Sequence, residues 1–541
     1  CTFSQNGRMG SMQHQKRRFR GAIGAILISS VFSGLWAQPK LVVQVVVDQM
    51  RAEYLIRFNE QFARDGGFRI LLDSGFNYAN THYNYIPTYT GPGHASISTG
   101  TTPKYHGIVA NDWLDGRSNY EMYCAEDTTV SPVGTVESSS KRSPKNLRAL
   151  TFSDGIKLHT NNQGKSFGVS VKDRGAIFPG GHFADGAYWL DGGMHFVTSS
   201  YYTDELPGYV DKYNSKENAM VLMKRGWKLE MATRKYTNSL EDENPYEPKY
   251  NEGSSSFPYN LEAMVQLKGL SMLKNTPIGN ELVLEMAELI LNEEDLGQDE
   301  YTDFLGVSFS SPDYAGHTWG VRSREVHDMY LKLDAQLGQF IRTLDKKVGK
   351  GNYILYLTAD HGASENPNHL ADGGYGVRNY ANADVVTQLN DRIVNELDVQ
   401  VNMENAVAKI INHHIYLNDW AKPYTLEIAK ITEQMDPFVH VYTADEIRRP
   451  GSEALASKLH EGYQSRFGGD LIFQLQPNSI FYGPYGSTHG SGYTYDTHVP
   501  FLMMGFGVEA GTSFQKVHIT DVVDRVAERS GLPYAPNSFV E

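Results

Sequence analysis

Residues 40–48 read KLVVQVVVD, and this stretch decides the fold. A nearly unbroken run of β-branched apolar residues is typical of a strand buried on both faces, as at the centre of a parallel sheet. The run ends at Asp48, a polar residue at the strand end where open α/β sheets place their sites. The stretch therefore predicts an α/β protein with a functional residue at the carboxyl end of its first strand.

Later apolar runs end in the same way, each followed by charged or metal-ligating side chains. They are Ser166–Val171, followed by Lys172 and Arg174; Asp303–Phe309, followed by Asp313 and His317; and Tyr353–Leu357, followed by Asp360 and His361. Helical patterns over Met50–Ala63, Phe68–Ser74, Ile278–Asn292, Ser323–Leu344 and Thr520–Ser530 separate or follow such strands. We therefore predict a three-layer α/β/α sandwich with a mostly parallel central sheet. Residues 38–541 form one domain in this interpretation, with cap insertions at about 178–275 and 366–484.

Composition and charge exclude some classes of function. The chain has 541 residues, a formal charge of −14 and 40% hydrophobic residues, which is ordinary for a large globular protein. A protein whose main partner is a nucleic acid needs a basic surface, so an acidic chain argues against one. Only Cys1 and Cys124 are present.

The first 37 residues have the pattern of upstream residues followed by a secretory signal. Basic residues from Lys16 to Arg20 precede the apolar segment Gly21–Trp36, and Ala37–Gln38 is the predicted cleavage point, although Leu35 at the −3 position is not small. An uncleaved anchor is the alternative interpretation. Cleavage removes five basic residues and no acidic ones, leaving a mature charge of −19. It also leaves Cys124 without a disulfide partner. No other apolar run approaches 18 residues, so we expect a periplasmic or secreted protein without a membrane span.

The segment Thr88–Ser96 reads TYTGPGHAS, a tight turn that leads into a helix. A helix N-terminus presents unpaired N–H groups and a partial positive charge, both of which suit an anion such as a phosphate. Thr90 is then a candidate nucleophile. The alternative is that Thr90 only caps the helix, with Pro92 in the first turn.

Asp and His residues follow the predicted strands in numbers that suit two metal ions. The three carboxylates and three imidazoles supply three ligands to each ion, which leaves the open position that is typical of catalytic zinc. Two divalent ions against three carboxylates leave a net charge near +1, which attracts a phosphate. Taken singly, each Asp could be a helix cap and each His an ordinary hydrogen-bonded side chain. The candidates are Asp48, Asp313, His317, Asp360, His361 and His489.

Together these motifs resemble the alkaline phosphatase superfamily, and most closely its secreted bacterial alkaline phosphatases with a threonine nucleophile. The resemblance covers residues 38–541 and is carried by the segments VVVDQM, TYTGPGHAS, HGIVANDW, SVKDRGA, SSPDYAGH, TADHG and HGSGYTYDTHVP. The cysteine motif of sulfatases and the Asp-Ser-Ala motif of the best-known serine phosphatases are absent from the sequence.

The resemblance implies two Zn²⁺ ions per chain and a role for each matched residue. One zinc ion is held by Asp313, His317 and His489. The other is held by Asp48, Asp360 and His361, with Thr90 bound to it as the nucleophile. Asn111, Lys172 and Arg174 contact the phosphoryl oxygens, and Lys172 and Arg174 replace the third, magnesium, site of some relatives.

The function expected from the resemblance is hydrolysis of phosphate monoesters to an alcohol and inorganic phosphate through a phospho-threonine intermediate. A monoester presents three non-bridging oxygens, and a strand that ends at Val171 would project Lys172 and Arg174 to the same side. A phosphodiesterase or nucleotide pyrophosphatase with the same metals is the alternative. A non-catalytic binding protein for carbohydrate or phosphate is a third hypothesis, although binding alone needs neither a nucleophile nor open metal positions.

Overall fold

The computed structural model describes residues 38–115, 120–250, 253–397, 405–449 and 451–533. The predicted signal at 1–37 lies outside the described residues. Among the described residues, no helix combines the length and the apolar character that a membrane crossing requires.

The described strands, in chain order, are β1 (Leu41–Val47), β2 (Phe76–Tyr78), β3 (Thr81–His82), β4 (Asp112–Asp115), β5 (Tyr120–Tyr123), β6 (Pro132–Val133), β7 (Ser166–Ser170), β8 (Gly186–Leu190), β9 (Phe196–Ser199), β10 (Asp303–Phe309), β11 (Tyr353–Thr358), β12 (Asn379–Tyr380), β13 (Val407–Ile411), β14 (His414–Leu417), β15 (Phe438–Thr443), β16 (Leu471–Leu475), β17 (Ile480–Phe481), β18 (His498–Val499), β19 (Phe501–Gly505), β20 (Gly511–Ser513) and β21 (Val517–His518).

The described α-helices follow in the same order. They are α1 (Tyr54–Arg57), α2 (Gly67–Ser74), α3 (Thr90–Thr99), α4 (Pro103–His106), α5 (Phe152–His159), α6 (Asp173–Gly180), α7 (Gly208–Asn214), α8 (Asn218–Met223), α9 (Leu261–Lys268), α10 (Pro277–Glu293), α11 (Ser311–Trp319), α12 (Arg324–Leu344), α13 (Pro367–Asp372), α14 (Asn382–Leu397), α15 (Thr425–Glu433), α16 (Ala444–Arg448), α17 (Ala454–Gly462), α18 (Thr494–Thr497) and α19 (Val522–Ser530).

A central sheet of ten strands organises the molecule, in the order β20-β2-β19-β11-β1-β10-β7-β8-β9-β6. The β1 strand pairs in parallel with β10 and β11, so that Leu41 lies opposite both Asp303 and Tyr353. Every residue of these three strands is buried, which requires cover on both faces of the sheet. Strands β19 and β9 run antiparallel to their neighbours. The predicted α/β class with a mostly parallel sheet is therefore confirmed.

The predicted cap insertions have a more definite structure than the sequence indicated. Strands β8 and β9 lie within the segment predicted as the first insertion, yet they join the central sheet. The boundary at residue 178 is therefore wrong, because β8 continues the parallel ladder beside β7. The second insertion contains its own sheet, in the order β13-β14-β16-β15, and its own apolar core.

Two other predicted elements have different boundaries in the structure, because contacts with the rest of the fold override the local sequence pattern. The segment Met50–Ala63, predicted as one helix, contains only the short α1. Strand β7 ends at Ser170, so Lys172 precedes α6 as its N-cap and Arg174 lies in the first helical turn. The prediction that strand periodicity aligns the two cations is therefore wrong, because the strand ends before either of them.

Candidate active site

The candidate site lies where β1, β10 and β11 end at one edge of the central sheet. Asp48 directly follows β1, and Asp360 and His361 follow β11. Asp313 lies in the first turn of α11 and His317 lies one turn further on, in the register that places residues four apart on one helix face. The parallel register of the three strands brings these residues together.

The first predicted ligand set forms a compact group. One ligand atom each from Asp313, His317 and His489 lies within 4.8 Å of the others. Nε2 of His317 is 3.2 Å from Oδ1 of Asp313, and Nε2 of His489 is 3.6 Å from the same oxygen. His489 comes from the loop between β17 and β18, which is distant in sequence from α11.

The second predicted set converges on His361. Its Nε2 atom lies 3.5 Å from Oδ1 of Asp48 and 3.5 Å from Oδ2 of Asp360. Ligand atoms of Asp48, Asp313 and His361 also lie within 4.8 Å of one another. Asp313 therefore stands between the two groups, and the imidazoles of His361 and His489 stack with ring centroids 3.5 Å apart.

The three imidazoles are held in the tautomer that a metal needs. In each ring, Nδ1 lies 2.8–2.9 Å from a backbone carbonyl oxygen. The carbonyl groups are those of Ser487 for His317, Gly362 for His361 and Thr88 for His489. A carbonyl oxygen can only accept, so each Nδ1 carries a proton, and in a neutral ring Nε2 keeps its lone pair for a metal. A hydrogen bond from the far ring nitrogen is the usual support of a metal-ligating histidine.

The electrostatics of the group fit bound cations. Asp48, Asp313 and Asp360 are almost fully buried, and neither oxygen of Asp48 accepts a hydrogen bond of ordinary geometry within the described part of the chain. Burial raises the pKa of Asp48 well above its usual range, and the charges of Asp313 and Asp360 raise it further. Burial lowers the pKa of His489 to about 3 and that of His361 well below its usual range, so both rings are neutral near pH 7. Buried carboxylates beside neutral imidazoles form a donor set that a divalent cation neutralises.

Thr90 points its hydroxyl into this group. It is the first residue of α3, and the N-cap is Tyr89, so the alternative that Thr90 merely caps the helix does not describe the structure. Oγ1 of Thr90 lies 3.3 Å from Nε2 of His361 and 3.3 Å from Nζ of Lys172. The side chain is buried and stands at the positive end of α3.

Lys172 contacts the carboxylates as well as Thr90. Its Nζ atom is 2.7 Å from Oδ2 of Asp48 and 2.5 Å from Oδ2 of Asp313. Burial lowers the pKa of this ammonium, but the charges of Asp313 and Asp48 outweigh that effect and raise it, so Lys172 stays protonated. The charges of His317 and Lys172 likewise outweigh burial at Asp313 and hold its pKa well below the usual range.

Asn111 and Arg174 lie at the margin of the group. Oδ1 of Asn111 accepts a 2.7 Å hydrogen bond from the backbone N–H of Gly91, next to Thr90. Arg174 donates from Nη1 to the hydroxyl of Tyr123 at 2.9 Å, and its Nε has no acceptor among the described residues. Arg174 and Lys172 line one cavity of about 270 Å³.

Two residues that support the site were missed from the sequence. Gln49 donates from Nε2 to Oδ1 of Asp313 at 2.7 Å and from its backbone N–H to Oδ1 of Asp360 at 3.1 Å. It has a φ of +64°, which is uncommon outside glycine and directly follows Asp48. Tyr123, on β5, holds both Arg174 and Asp173. The position of Gln49 after Asp48 was a signal for it, whereas nothing in the local pattern singled out Tyr123.

Comparison with known proteins relates the chain to enzymes that act on phosphate esters. The family model for type I phosphodiesterase / nucleotide pyrophosphatase matches residues 42–499. Alkaline phosphatase PhoV of Synechococcus elongatus is 38% identical over 509 residues, which cover 92% of this chain and 91% of PhoV. A protein of Myroides odoratus named calcium-transporting ATPase is 36% identical over 507 residues, which cover 91% of each chain.

A third relative has a solved structure. Alkaline phosphatase PafA of Elizabethkingia meningoseptica is 37% identical over 511 residues, which cover 91% of each chain. The crystal structure of wild-type PafA superposes with a TM-score of 0.87 at 35% identity and covers 93% of this chain and 98% of PafA. The likeness therefore extends over nearly the whole described structure.

Proposed function

The chain belongs to the type I phosphodiesterase / nucleotide pyrophosphatase family of the alkaline phosphatase superfamily, and from that membership we propose that it is an alkaline phosphatase acting on phosphate monoesters. The observation that carries this proposal is the position of Thr90. Its hydroxyl lies beside the protonated ammonium of Lys172, within a group of carboxylates and neutral imidazoles. A nucleophile at that position can approach a bound phosphorus atom.

Two zinc ions complete the proposed site. Asp313, His317 and His489 hold one ion, and Asp48, Asp360 and His361 hold the other together with Thr90. The three imidazoles favour zinc over Mg²⁺ and Ca²⁺, which are hard cations that prefer oxygen ligands. When bound, such ions act as Lewis acids that lower the pKa of coordinated hydroxyls and neutralise charge on the attacking and leaving oxygens.

The residues of the chain then divide the reaction between them. The hydroxyl of Thr90 gives up its proton to solvent, Oγ1 attacks phosphorus, the ester P–O bond breaks, and the alcohol leaves with a proton from solvent. A water molecule hydrolyses the resulting phospho-threonine, which releases inorganic phosphate and restores the Thr90 hydroxyl. Lys172 donates to phosphoryl oxygens on the side of Thr90, and the guanidinium of Arg174 and the amide of Asn111 meet the remaining oxygens.

Preference for monoesters is supported by the two cations. Lys172 and Arg174 line the same cavity, and Arg142 and Lys274 line it as well. A monoester dianion has three non-bridging oxygens to place near these charges, whereas a diester has one of them blocked by a second organic group. The alternative, a phosphodiesterase with the same metals, would leave these cations without a matching oxygen.

Export from the cytoplasm is the last part of the proposal. The basic and apolar pattern of residues 16–37 supports a signal that is removed before the enzyme acts in the periplasm or outside the cell. Cys124, the cysteine that remains, is buried and free, so the exported enzyme does not depend on an internal disulfide.

One experiment tests nucleophile and substrate class together. Wild-type, Thr90→Ala and Thr90→Ser proteins are assayed side by side on a chromogenic monoester and the matching diester, and their zinc content is measured. We expect the wild type to favour the monoester and to carry about two zinc ions per chain. Thr90→Ala should lose roughly three or more orders of magnitude in turnover while Thr90→Ser keeps substantial activity.

The zinc content of Thr90→Ala serves as the control for folding. A variant that retains its metal and loses turnover has lost chemistry rather than structure. A wild-type enzyme that prefers the diester would move the chain to the phosphodiesterase branch. Unchanged turnover in Thr90→Ala would remove Thr90 from the mechanism.

A further inference from the structure

A cavity of about 220 Å³ lies between the second insertion and the candidate active site. Part of its lining comes from the turn between β13 and β14 and from β16, which belong to the insertion. The rest includes residues next to Thr90 and His489 itself. A volume of this size holds roughly seven water molecules, and hence one small organic group. We call it the insertion cavity.

Aromatic rings form a continuous wall of the insertion cavity. The ring centroids of Tyr89 and His413 are 5.9 Å apart, those of His413 and Phe473 are 5.4 Å apart, and those of Phe473 and Phe481 are 5.8 Å apart. The hydroxyl of Tyr89 and Nδ1 of His413 are hydrogen-bonded at 3.1 Å, which ties this wall to the residue before Thr90. Such a wall suits the C–H groups of an organic molecule.

Two buried oxygens of the lining lack the partners that burial normally demands. Oδ1 of Asp496 and Oγ of Ser479 form no hydrogen bond of ordinary geometry with any described residue. Asp496 is 1% exposed and Ser479 is 4% exposed, and both line the cavity. Buried polar atoms are rarely left unpaired, so these two call for a ligand that forms hydrogen bonds. An ionised carboxylate only accepts, so the ligand must carry donors.

The chemistry of the lining selects a neutral group with several hydroxyls. Hydroxyls donate to Asp496 and exchange hydrogen bonds with Ser479, while the C–H groups between them face the aromatic wall. A second phosphate on the ligand would be repelled by Asp496. A hydrocarbon group or a quaternary ammonium ion has no N–H or O–H donor and would leave both oxygens unpaired.

His489 connects the insertion cavity to the candidate active site. It belongs to the ligand group of Asp313 and His317, whereas Thr90 contacts His361. In an in-line displacement the leaving oxygen departs opposite the nucleophile, and hence on the side of the group that contains His489.

The cations occupy a different cavity, which leaves this one for the organic group. Lys172 and Arg174 line the cavity of about 270 Å³, and neither of them lines the insertion cavity. The phosphoryl oxygens are attracted to those charges, so the carbon skeleton of a substrate extends away from them.

The geometry points to the insertion cavity as the pocket for the alcohol part of the substrate, and to sugar phosphates as the substrate class that fills it. This role rests on the proposed phosphatase function, because the alcohol reaches the cavity only when its phosphate lies beside Thr90.

Two esters of similar shape test the pocket. Glucose 6-phosphate carries the hydroxyls, and cyclohexylmethyl phosphate replaces the sugar ring by a hydrocarbon ring. The zinc-loaded wild type, Ser479→Ala and Asp496→Asn are compared by the ratio of kcat/KM for the sugar ester to kcat/KM for the cyclohexyl ester. Intrinsic reactivity cancels when this ratio is compared between proteins. We expect it to fall about fivefold in Ser479→Ala and about tenfold or more in Asp496→Asn.

Ser457→Ala is the matched control, because Ser457 is an exposed serine on α17 of the same insertion. Its ratio should equal that of the wild type. Ser479 and Asp496 are tested separately, so failure of one variant to fold does not remove the test.

Calorimetric titration of zinc-loaded Thr90→Ala with the same two esters measures binding without turnover. We expect the sugar ester to bind at least about fivefold more tightly than the cyclohexyl ester, and the added substitution Ser479→Ala to remove most of that difference. Preferential binding of the sugar ester by a protein that hydrolyses neither ester would support the pocket and refute the proposed phosphatase function.

Three results would overturn the pocket assignment. In the first, Thr90→Ala binds the cyclohexyl ester as tightly as the sugar ester. In the second, Ser479→Ala and Asp496→Asn lower kcat/KM for both esters by the same factor, which indicates a structural effect. In the third, phosphoethanolamine binds more tightly than glucose 6-phosphate, which indicates a pocket for cationic alcohols.

Discussion

Asp496 illustrates how a buried carboxylate behaves when only one of its two oxygens accepts hydrogen bonds. Its Oδ2 atom accepts hydrogen bonds from the backbone N–H and the hydroxyl of Ser491, at 2.7 and 2.5 Å, while Oδ1 accepts none within the described part of the chain. Burial raises its pKa to about 7, although the bonds from Ser491 act in the opposite direction. The ionised form of the Asp496 carboxyl is therefore disfavoured in the folded protein, whereas in the unfolded protein water stabilises it.

Replacing Asp496 by Asn should reduce the loss in free energy of unfolding that the wild type shows as pH rises. A folded pKa above the unfolded one means that the wild type loses stability as pH rises from about 4 through about 7. The Asn variant keeps an acceptor for Ser491 and has no charge to bury. The difference in Tm between the variant and the wild type should grow as pH rises to 7–8. The corresponding gain in the free energy of unfolding is at most on the order of 4 kcal/mol.

Asp65→Asn is the control for this comparison, because the Asp65 side chain is 83% exposed. Calorimetric scans of all three proteins between pH 5 and 9 give the measurement. A Tm difference between Asp496→Asn and the wild type that stays constant over this range would contradict the assignment.

The sequence singled out the candidate ligands because their residue types are informative, but it did not single out their neighbours. Asp48, Asp313 and His361 follow apolar runs, and such positions in α/β sheets collect functional side chains. The contact of Gln49 with Asp313 depends on a positive φ and on two segments distant in sequence. Local patterns carry no information on that pairing.

At the scale of elements, the junctions between strand and helix decide what the cations can reach. Strand β7 ends before Lys172, so the backbone turns there and Arg174 meets Tyr123 of β5. The two-residue periodicity of an extended strand does not apply to this junction. The sequence placed both cations near the site but could not give their directions, because the last residue of a strand depends on its pairing partners.

Tyr123→Phe should weaken the hold on Arg174 without removing its charge. We expect kcat/KM for a monoester to fall about tenfold, corresponding to ~1.4 kcal/mol, which is the usual size of one such hydrogen bond. In an Arg174→Ala background the same substitution should cost little, because the bond is already absent. A double-mutant cycle measures this coupling, and independent, additive losses would contradict a positioning role for Tyr123.

The second insertion marks the limit of prediction at this scale. Its sheet, β13-β14-β16-β15, has a separate core that includes Ile415 and Phe473. Strands β14 and β15 follow each other in the chain, yet each pairs with β16 and not with the other, so their order is not readable from the hydrophobic pattern. The central sheet was predictable because β1, β10 and β11 are long, wholly buried and separated by helices.

At the scale of the whole molecule, we predict that the protein is exported from the cytoplasm and that residues 1–37 are cleaved from it. When the full gene product is expressed with its own N-terminus, the mature protein recovered outside the cytoplasm should begin at Gln38. N-terminal sequencing and intact mass measure this directly. As a control, replacement of Lys16, Arg17, Arg18 and Arg20 by neutral residues should retain the full-length chain inside the cell. A mature chain that still contains Gly21–Trp36 would indicate an anchor.

The pairing of β1 with β10 and β11 also determines when in its lifetime the enzyme becomes active. Leu41 pairs with Asp303 and Tyr353, and the ligand group closes only with His489, close to the end of the chain. Such distant pairings make folding slow and leave an incomplete polypeptide without a site. A chain in which the His489 segment is not yet in place therefore lacks the complete group of candidate ligands, so the topology makes phosphatase activity a property of the finished fold and not of any fragment of it.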